Sequence, residues 1–283
     1  FLDYTSMKTN HASEINFEFL PPRELWEAFQ KLLPPPKPKP KGGRPRKLDE
    51  KIFTAIFYIL RTGIQWKALP RTLGASSTVH DRFQEWESQG FFLKLWAEGL
   101  HQYDKLKGLD WEWQSMDGAM TKAPLGRENT GPNPTDRAKK GTKRHVLTEG
   151  NGMPIALVAT GANRVDFKET KNVLDNIVIE RPQPTDEKPQ HLCLDKGYDY
   201  PEVHELVKEY NYIGHIKTRG EESSAKAKIP GYRARRWVVE RTHSWMNRFR
   251  RILIRWEKKT ANYEAFLHLT CAYITIRAAG VSG

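Results

Sequence analysis

The sequence predicts an α/β protein, with a mixed sheet flanked by helices and preceded by a small all-helical domain of the helix-turn-helix kind. Between Leu48 and Leu100 the apolar residues recur at three- and four-residue intervals, as amphipathic helices require. After Leu109 short β-branched segments appear among glycines and prolines, the pattern of strands. The 283 residues carry 46 Lys and Arg against 34 Asp and Glu, a net charge of +12 that suits a nucleic-acid partner.

In chain order, residues 1–33 read as a partly helical leader, whose first six residues lie outside the fold, with Met7 as a native start. Residues 34–47 are a linker or arm, because proline, glycine and purely positive charge leave nothing to bury. Its Gly43-Arg44-Pro-Arg46 tail suits either a minor groove or a solvated tether. Residues 48–109 form the helical, DNA-binding unit. Ile52, Phe53, Ile56, Ile59 and Leu60 share one helix face that stops near Gly63. Ser76-Ser-Thr78 caps a second helix carrying Val79, Phe83 and Trp86, and a third runs over 91–100.

Residues 110–283 form the larger α/β domain. Strands are expected at 111–120, 142–148 and 154–160, then a helix at 167–179, a buried strand at 191–195, a helix at 201–210 and a strand at 212–217. One helix then carries Val239, Thr242, Met246, Phe249 and Leu253 at heptad spacing, and 263–276 closes the domain as another. No window approaches 18 consecutive apolar residues, and no secretory leader is evident. The two cysteines, Cys193 and Cys271, lie in apolar runs without metal-site spacing. A reduced, cytoplasmic protein is expected, with no membrane partner.

Three acids carry the candidate chemistry. Asp117 follows a strand-like run and precedes Gly118, where alone it reads as a turn residue. Asp195 ends a short apolar run, which places it at the carboxyl end of a buried strand, where open α/β sheets bind ligands. Glu240 shares a helix face with Arg236, His243 and Asn247, and alone Arg236–Glu240 reads as a surface pair. Around it Arg233, Arg235, Arg236, Arg241, Arg248, Arg250, Arg251 and Arg255 crowd together, a density that calls for an acidic partner. Three carboxylates suffice to hold two Mg²⁺ ions against a phosphodiester. Lys139, Lys140, Lys143 and Arg144 are expected in or beside a loop that touches phosphates. His145 reads as a site residue or a structural one, Trp245 as core or a base-stacking face, and Asp166 as a helix N-cap.

Four motifs then stand in order: Ser115-Met-Asp117-Gly, Gly161-Ala-Asn-Arg-Val-Asp166, Leu194-Asp195-Lys-Gly-Tyr198 and Arg236-Trp-Val-Val-Glu240-Arg-x-x-x-Trp245. Together with the stretch from Gly43-Arg-Pro-Arg46 to Trp66-x-x-Leu-Pro70, they resemble bacterial insertion-sequence transposases of the Asp-Asp-Glu class, insertion-sequence family five, over residues 20–280. The resemblance implies an RNase H-like core with Asp117 and Asp195 on adjacent strands and Glu240 on a late helix. It implies two Mg²⁺ per site, with Mn²⁺ as substitute, held by Asp117, Asp195 and Glu240. It further implies DNA partners, namely terminal inverted repeats and target DNA, and a homodimer or larger synaptic assembly. Of a Tyr-Arg-Glu-Lys signature, Tyr232, Arg236 and Glu240 match the first three members, and Asn247 stands at the lysine. Lys196 and Arg248 are the substitutes expected for that missing cation, and Arg236, Arg241 and Trp245 join them as DNA contacts. The expected reaction is end hydrolysis followed by strand transfer. The alternatives are a metal-dependent nuclease on the same fold that never joins strands, and a transposase-derived DNA-binding regulator.

Overall fold

Strand β1, Trp113–Lys122, is the centre of a six-stranded sheet in the computed structural model, which describes residues 15–35, 45–216 and 235–280. On one side β1 pairs antiparallel with β3, Lys140–Glu149, which pairs antiparallel with β4, Pro154–Gly161. On the other side it runs parallel to β5, His191–Leu194, which runs parallel to β6, Ile213–Ile216. A two-residue β2, Gly131–Pro132, pairs with the start of β3. Three antiparallel strands followed by two parallel ones give the mixed sheet expected of an RNase H-like core.

The leader contributes α1, Arg23–Leu32, whose Leu25, Trp26, Ala28 and Phe29 are buried. Helix α2, Asp49–Thr62, ends as expected on Gly63, which takes the left-handed conformation that glycine tolerates. Helix α3, Ser76–Ser88, buries Val79, Phe83 and Trp86, but its N-cap is Ala75, so Ser76-Ser-Thr78 forms the first turn rather than the cap. Helix α4, Phe91–Lys107, extends well past the expected end before stopping at Gly108.

Helices α5, Thr170–Asp175, and α6, Pro201–Glu209, connect β4 to β5 and β5 to β6. The helix expected over 167–179 is only α5 preceded by a short 3₁₀ turn, Asp166–Glu169. The late helix divides into α7, Trp237–Met246, and α8, Arg250–Leu253. Phe249 breaks it: its backbone is extended, and its ring packs edge-on against Phe57 and Tyr273. Leu253 consequently leaves the expected buried stripe and is exposed.

Helix α9, Thr260–Ala278, is buried around most of its circumference, as a central helix must be when it is apolar on all sides. Helix α4 lies along it at Gly99, where a Cβ would overlap the Thr275 hydroxyl. Phe83 stacks on Phe266 at 4.7 Å, and Trp96 Nε1 donates to the Pro154 carbonyl at 3.0 Å. The helical half and the sheet therefore share one continuous apolar core.

Two members of the arginine run belong to this interior. Arg255 is fully buried and donates to the carbonyls of Asn129 and Glu257 and to the hydroxyls of Thr142 and Thr260. Arg251 pairs with Glu257 at 2.6 Å and donates to the Ile64 carbonyl at 2.9 Å, tying α8 to the segment after α2. Arg251→Met should cost about 3–5 kcal/mol in denaturant unfolding, because Glu257 would stay buried without its partner. Arg251→Met/Glu257→Leu should recover most of that loss.

Candidate active site

The parallel register of β1 and β5 pairs Ser115 with Cys193, so Asp117 and Asp195 each lie two residues beyond the same pair. Asp117 is half-buried within β1, and its Oδ1 accepts from the Gly118 amide at 2.8 Å. Asp195 caps the 3₁₀ turn Lys196–Tyr198, its Oδ1 accepting from the Gly197 amide at 2.7 Å. Glu240 approaches from α7 with its side chain largely exposed and Arg236 Nη2 at 3.8 Å. Helix α7 is anchored to the sheet by two hydrogen bonds. Ser115 Oγ donates to the Arg235 carbonyl at 3.1 Å, and Thr242 Oγ1 donates to the Gly152 carbonyl at 2.6 Å.

The charges of the other acids act on Asp117. Burial pushes Asp117 up to about 6, against the pull of the Gly118 amide, and the charges of Asp195, Asp166 and Glu240 push it further in the same direction. Tyr198 is buried beside the same group, and burial followed by Asp166, Asp117 and Asp195 raises its phenol well above the ordinary value. A carboxylate hemmed in by like charge is a natural seat for a hard cation with oxygen ligands. Among the described residues no three His, Cys, Asp or Glu side chains are grouped closely enough to hold one ion together. One or two carboxylates with phosphate oxygens are the usual Mg²⁺ ligands, so the donor set fits such an ion once a phosphodiester is present.

Asp166 is the residue whose role sequence reasoning misjudged. Val165 is the N-cap of its turn, and the Asp166 carboxylate instead faces the site, with Lys143 Nζ at 3.0 Å and His145 Nδ1 at 3.3 Å. Gly118 makes this possible, since a Cβ there would overlap Asp166 Oδ1. The motif Gly161-Ala-Asn-Arg-Val-Asp166 was the available signal, but chain position before Phe167 favoured a cap. His145 is fully buried, bonded to Thr160 Oγ1 at 2.9 Å, and burial lowers it to about 4.

Lys143 and Arg144 correct the loop expectation, because both are buried within β3. Lys143 is held by Asp166 and the Arg164 carbonyl, and Arg144 donates to Asn247 Oδ1. Asn247, at the position expected for a lysine, is thus tied to a buried guanidinium. His243 also departs from the exposed face proposed for it. It is buried, and its burial beside Arg144 lowers it to about 3.

Lys196, next to Asp195, is exposed, as are Arg248 and, at the opposite end of β3 from the residue that faces Asp117, Lys139 and Lys140. Arg241 lies over the rings of Trp237 and Trp245 at 4.5 and 4.8 Å and donates to the Asn151 carbonyl at 2.6 Å. Arg46 is paired with Glu85 at 3.0 Å, while Arg44 and Tyr232 lie outside the described residues.

Residues 113–275 match the family model described as "Transposase DDE domain". The chain belongs to this family of DDE transposases. Residues 22–96 match a second model, "Putative transposase of IS4/5 family", which places the helical half with the same enzymes. The DDE transposase chain is 39% identical over 164 residues to "Putative transposase for insertion sequence element IS402" of Burkholderia cepacia, covering 56% of this chain and 74% of that one. It is 29% identical over 115 residues to "Insertion element IS402 uncharacterized 16.2 kDa protein" of the same organism, covering 39% and 78%. The Mos1 transposase catalytic domain aligns over 68% of this chain and 95% of its own, at 12% identity and a TM-score of 0.30. Among the described residues of the DDE transposase no helix is long and apolar enough to cross a membrane.

Asp117 stands near 6 in the fold against an ordinary 3.8, so the folded state favours its protonated form. That contribution is present in full below about pH 3.8 and is lost as pH rises through about 6. Without divalent ions, Asp117→Asn should therefore be more stable than the parent at pH 8 by up to about 3 kcal/mol. The two should converge near about pH 4, as read by denaturant unfolding at both pH values.

Proposed function

We propose that this transposase binds the terminal inverted repeats of its element, hydrolyses the phosphodiester at the end, and joins the freed 3′-hydroxyl to target DNA at the same site. The observation that carries this reading is the placement of Asp117 and Asp195 side by side on parallel neighbours, with Glu240 close enough on α7 to raise Asp117. Asp117, Asp195 and Glu240 would hold two Mg²⁺ ions, with Mn²⁺ as substitute, in pairs completed by phosphate oxygens. When bound, such ions activate the attacking oxygen and stabilise the leaving oxygen of an in-line displacement.

The chain's own residues prepare that site. Asp195 is oriented by the Gly197 amide and Asp117 by the Gly118 amide, so neither carboxylate is free to turn away. Asp166 is neutralised by Lys143, which limits the repulsion that a phosphate would meet. Arg236, beside Glu240 at the start of α7, is placed to bind a substrate phosphate. Exposed Lys139, Lys140 and Lys196 extend the positive rim. The helices of 48–109, with the arm over 34–47, would recognise the repeat, and synapsis of two ends calls for a dimer or larger assembly.

Pre-cleaved end DNA mixed with supercoiled plasmid and Mg²⁺ should give joined products with the parent protein. Asp195→Asn should reduce joining by about 10³-fold or more, as expected for loss of a group that acts on the transition state. Cleavage without any joined product would favour the nuclease reading, and equal activity in the Asn variant would remove Asp195 from catalysis.

A further inference from the structure

A cavity of about 360 Å³ opens between the end of α2, the end of α7 and the last turns of α9. Its lining includes Arg61, Arg248 and Arg277 together with the rings of Trp245, Phe249 and Tyr273, and among the described residues no carboxylate lines it. Trp245 lies five residues beyond Glu240 on α7, about 140° around the helix, so this cavity is separate from the triad.

The walls are built and held. The Arg61 guanidinium sits 5.0 Å from the Phe249 ring centre and 5.9 Å from that of Tyr273. Arg277 Nη1 donates to the Tyr273 hydroxyl at 3.0 Å. Behind Trp245, Arg241 covers the ring at 4.8 Å and is fixed by the Asn151 carbonyl at 2.6 Å. Arg251 and Arg255, by contrast, are committed to the interior, one to Glu257 and the other to carbonyls and hydroxyls. Half-buried Arg61 and exposed Arg248 and Arg277 converge on one space beside three rings, and no described carboxylate lines it. A planar anion complements that lining, with an aromatic face for the rings and oxygens for the forked donors. The volume is at the small end of ligand pockets, enough for one nucleotide. A base stacked and paired within a duplex could not enter it.

We propose that this cavity binds a single nucleotide, its base against Trp245 and Tyr273 and its phosphate on Arg61, Arg248 and Arg277. The nucleotide is either an unpaired unit of bound DNA, in which case the inference rests on the proposed DNA substrate, or a free deoxynucleoside monophosphate. The test measures binding of a fluorescent single-stranded pentanucleotide and of dAMP by the full chain, in the parent, Arg248→Ala/Arg277→Ala, Ala278→Phe and Lys188→Ala/Lys208→Ala. Ala278 lines the cavity, so the phenylalanine fills it without removing charge, while Lys188 and Lys208 are exposed residues outside its lining.

Both cavity variants should weaken pentanucleotide binding roughly tenfold or more, and the distant charge pair should change it little. A parallel loss of dAMP binding would assign the site to free nucleotides as well, and dAMP failing to bind the parent would restrict it to DNA. Equal weakening by the distant pair, or no effect of Ala278→Phe, would overturn the inference. If the cavity variants keep full affinity while the parent still joins DNA ends, the cavity inference alone has failed. If the parent binds the pentanucleotide at the cavity but joins no ends, the proposed strand transfer has failed instead.

Discussion

Everything at the candidate site depends on the parallel pairing of β1 with β5. That register fixes Ser115 opposite Cys193, and a strand rises about 3.3 Å per residue, so two carboxylates 78 positions apart in sequence become near neighbours. A one-residue slip would turn Asp195 to the opposite face of the sheet. The consequence is a local excess of negative charge: burial and then three neighbouring acids raise Asp117, a cost that a proton or a bound cation relieves.

The positive charge of the chain is divided between two duties that composition does not distinguish. Arg251 and Arg255 serve the interior, where Glu257, carbonyls and hydroxyls satisfy them, and they join the helical half to the sheet. Lys143 and Arg144 likewise work inside β3, one neutralising Asp166 and the other holding Asn247. Lys139, Lys140, Lys196 and Arg248 are exposed instead. A basic protein that acts on DNA thus uses part of its charge for assembly.

Much of the architecture was legible because it rests on local patterns. The stop of α2 at Gly63 follows from a glycine in the left-handed region, and β4 follows from its apolar, β-branched run. The misreadings share one cause, which is that contacts from distant segments overrode local preference. Ser76-Ser-Thr78 has the composition of a cap yet lies inside α3. Phe249 has helical spacing but was recruited by Phe57 and Tyr273, which broke the late helix in two. Asp166 sits where a cap belongs, but Lys143, His145 and the bare backbone at Gly118 drew it into the site.

By itself the sequence determined most element types and the basic character, and it singled out Asp117, Asp195 and Glu240 as candidates, because residue type and short-range periodicity are written directly in the chain. Only the tertiary structure decided which arginines are internal, that Asp166 belongs with the acids, and that α2, α7 and α9 enclose an arginine-lined cavity. The reason is physical: burial and like-charge proximity depend on segments far apart in the chain meeting in space, as Arg251 meets Ile64 across 187 residues, and no local pattern encodes which side chain a distant helix will cover.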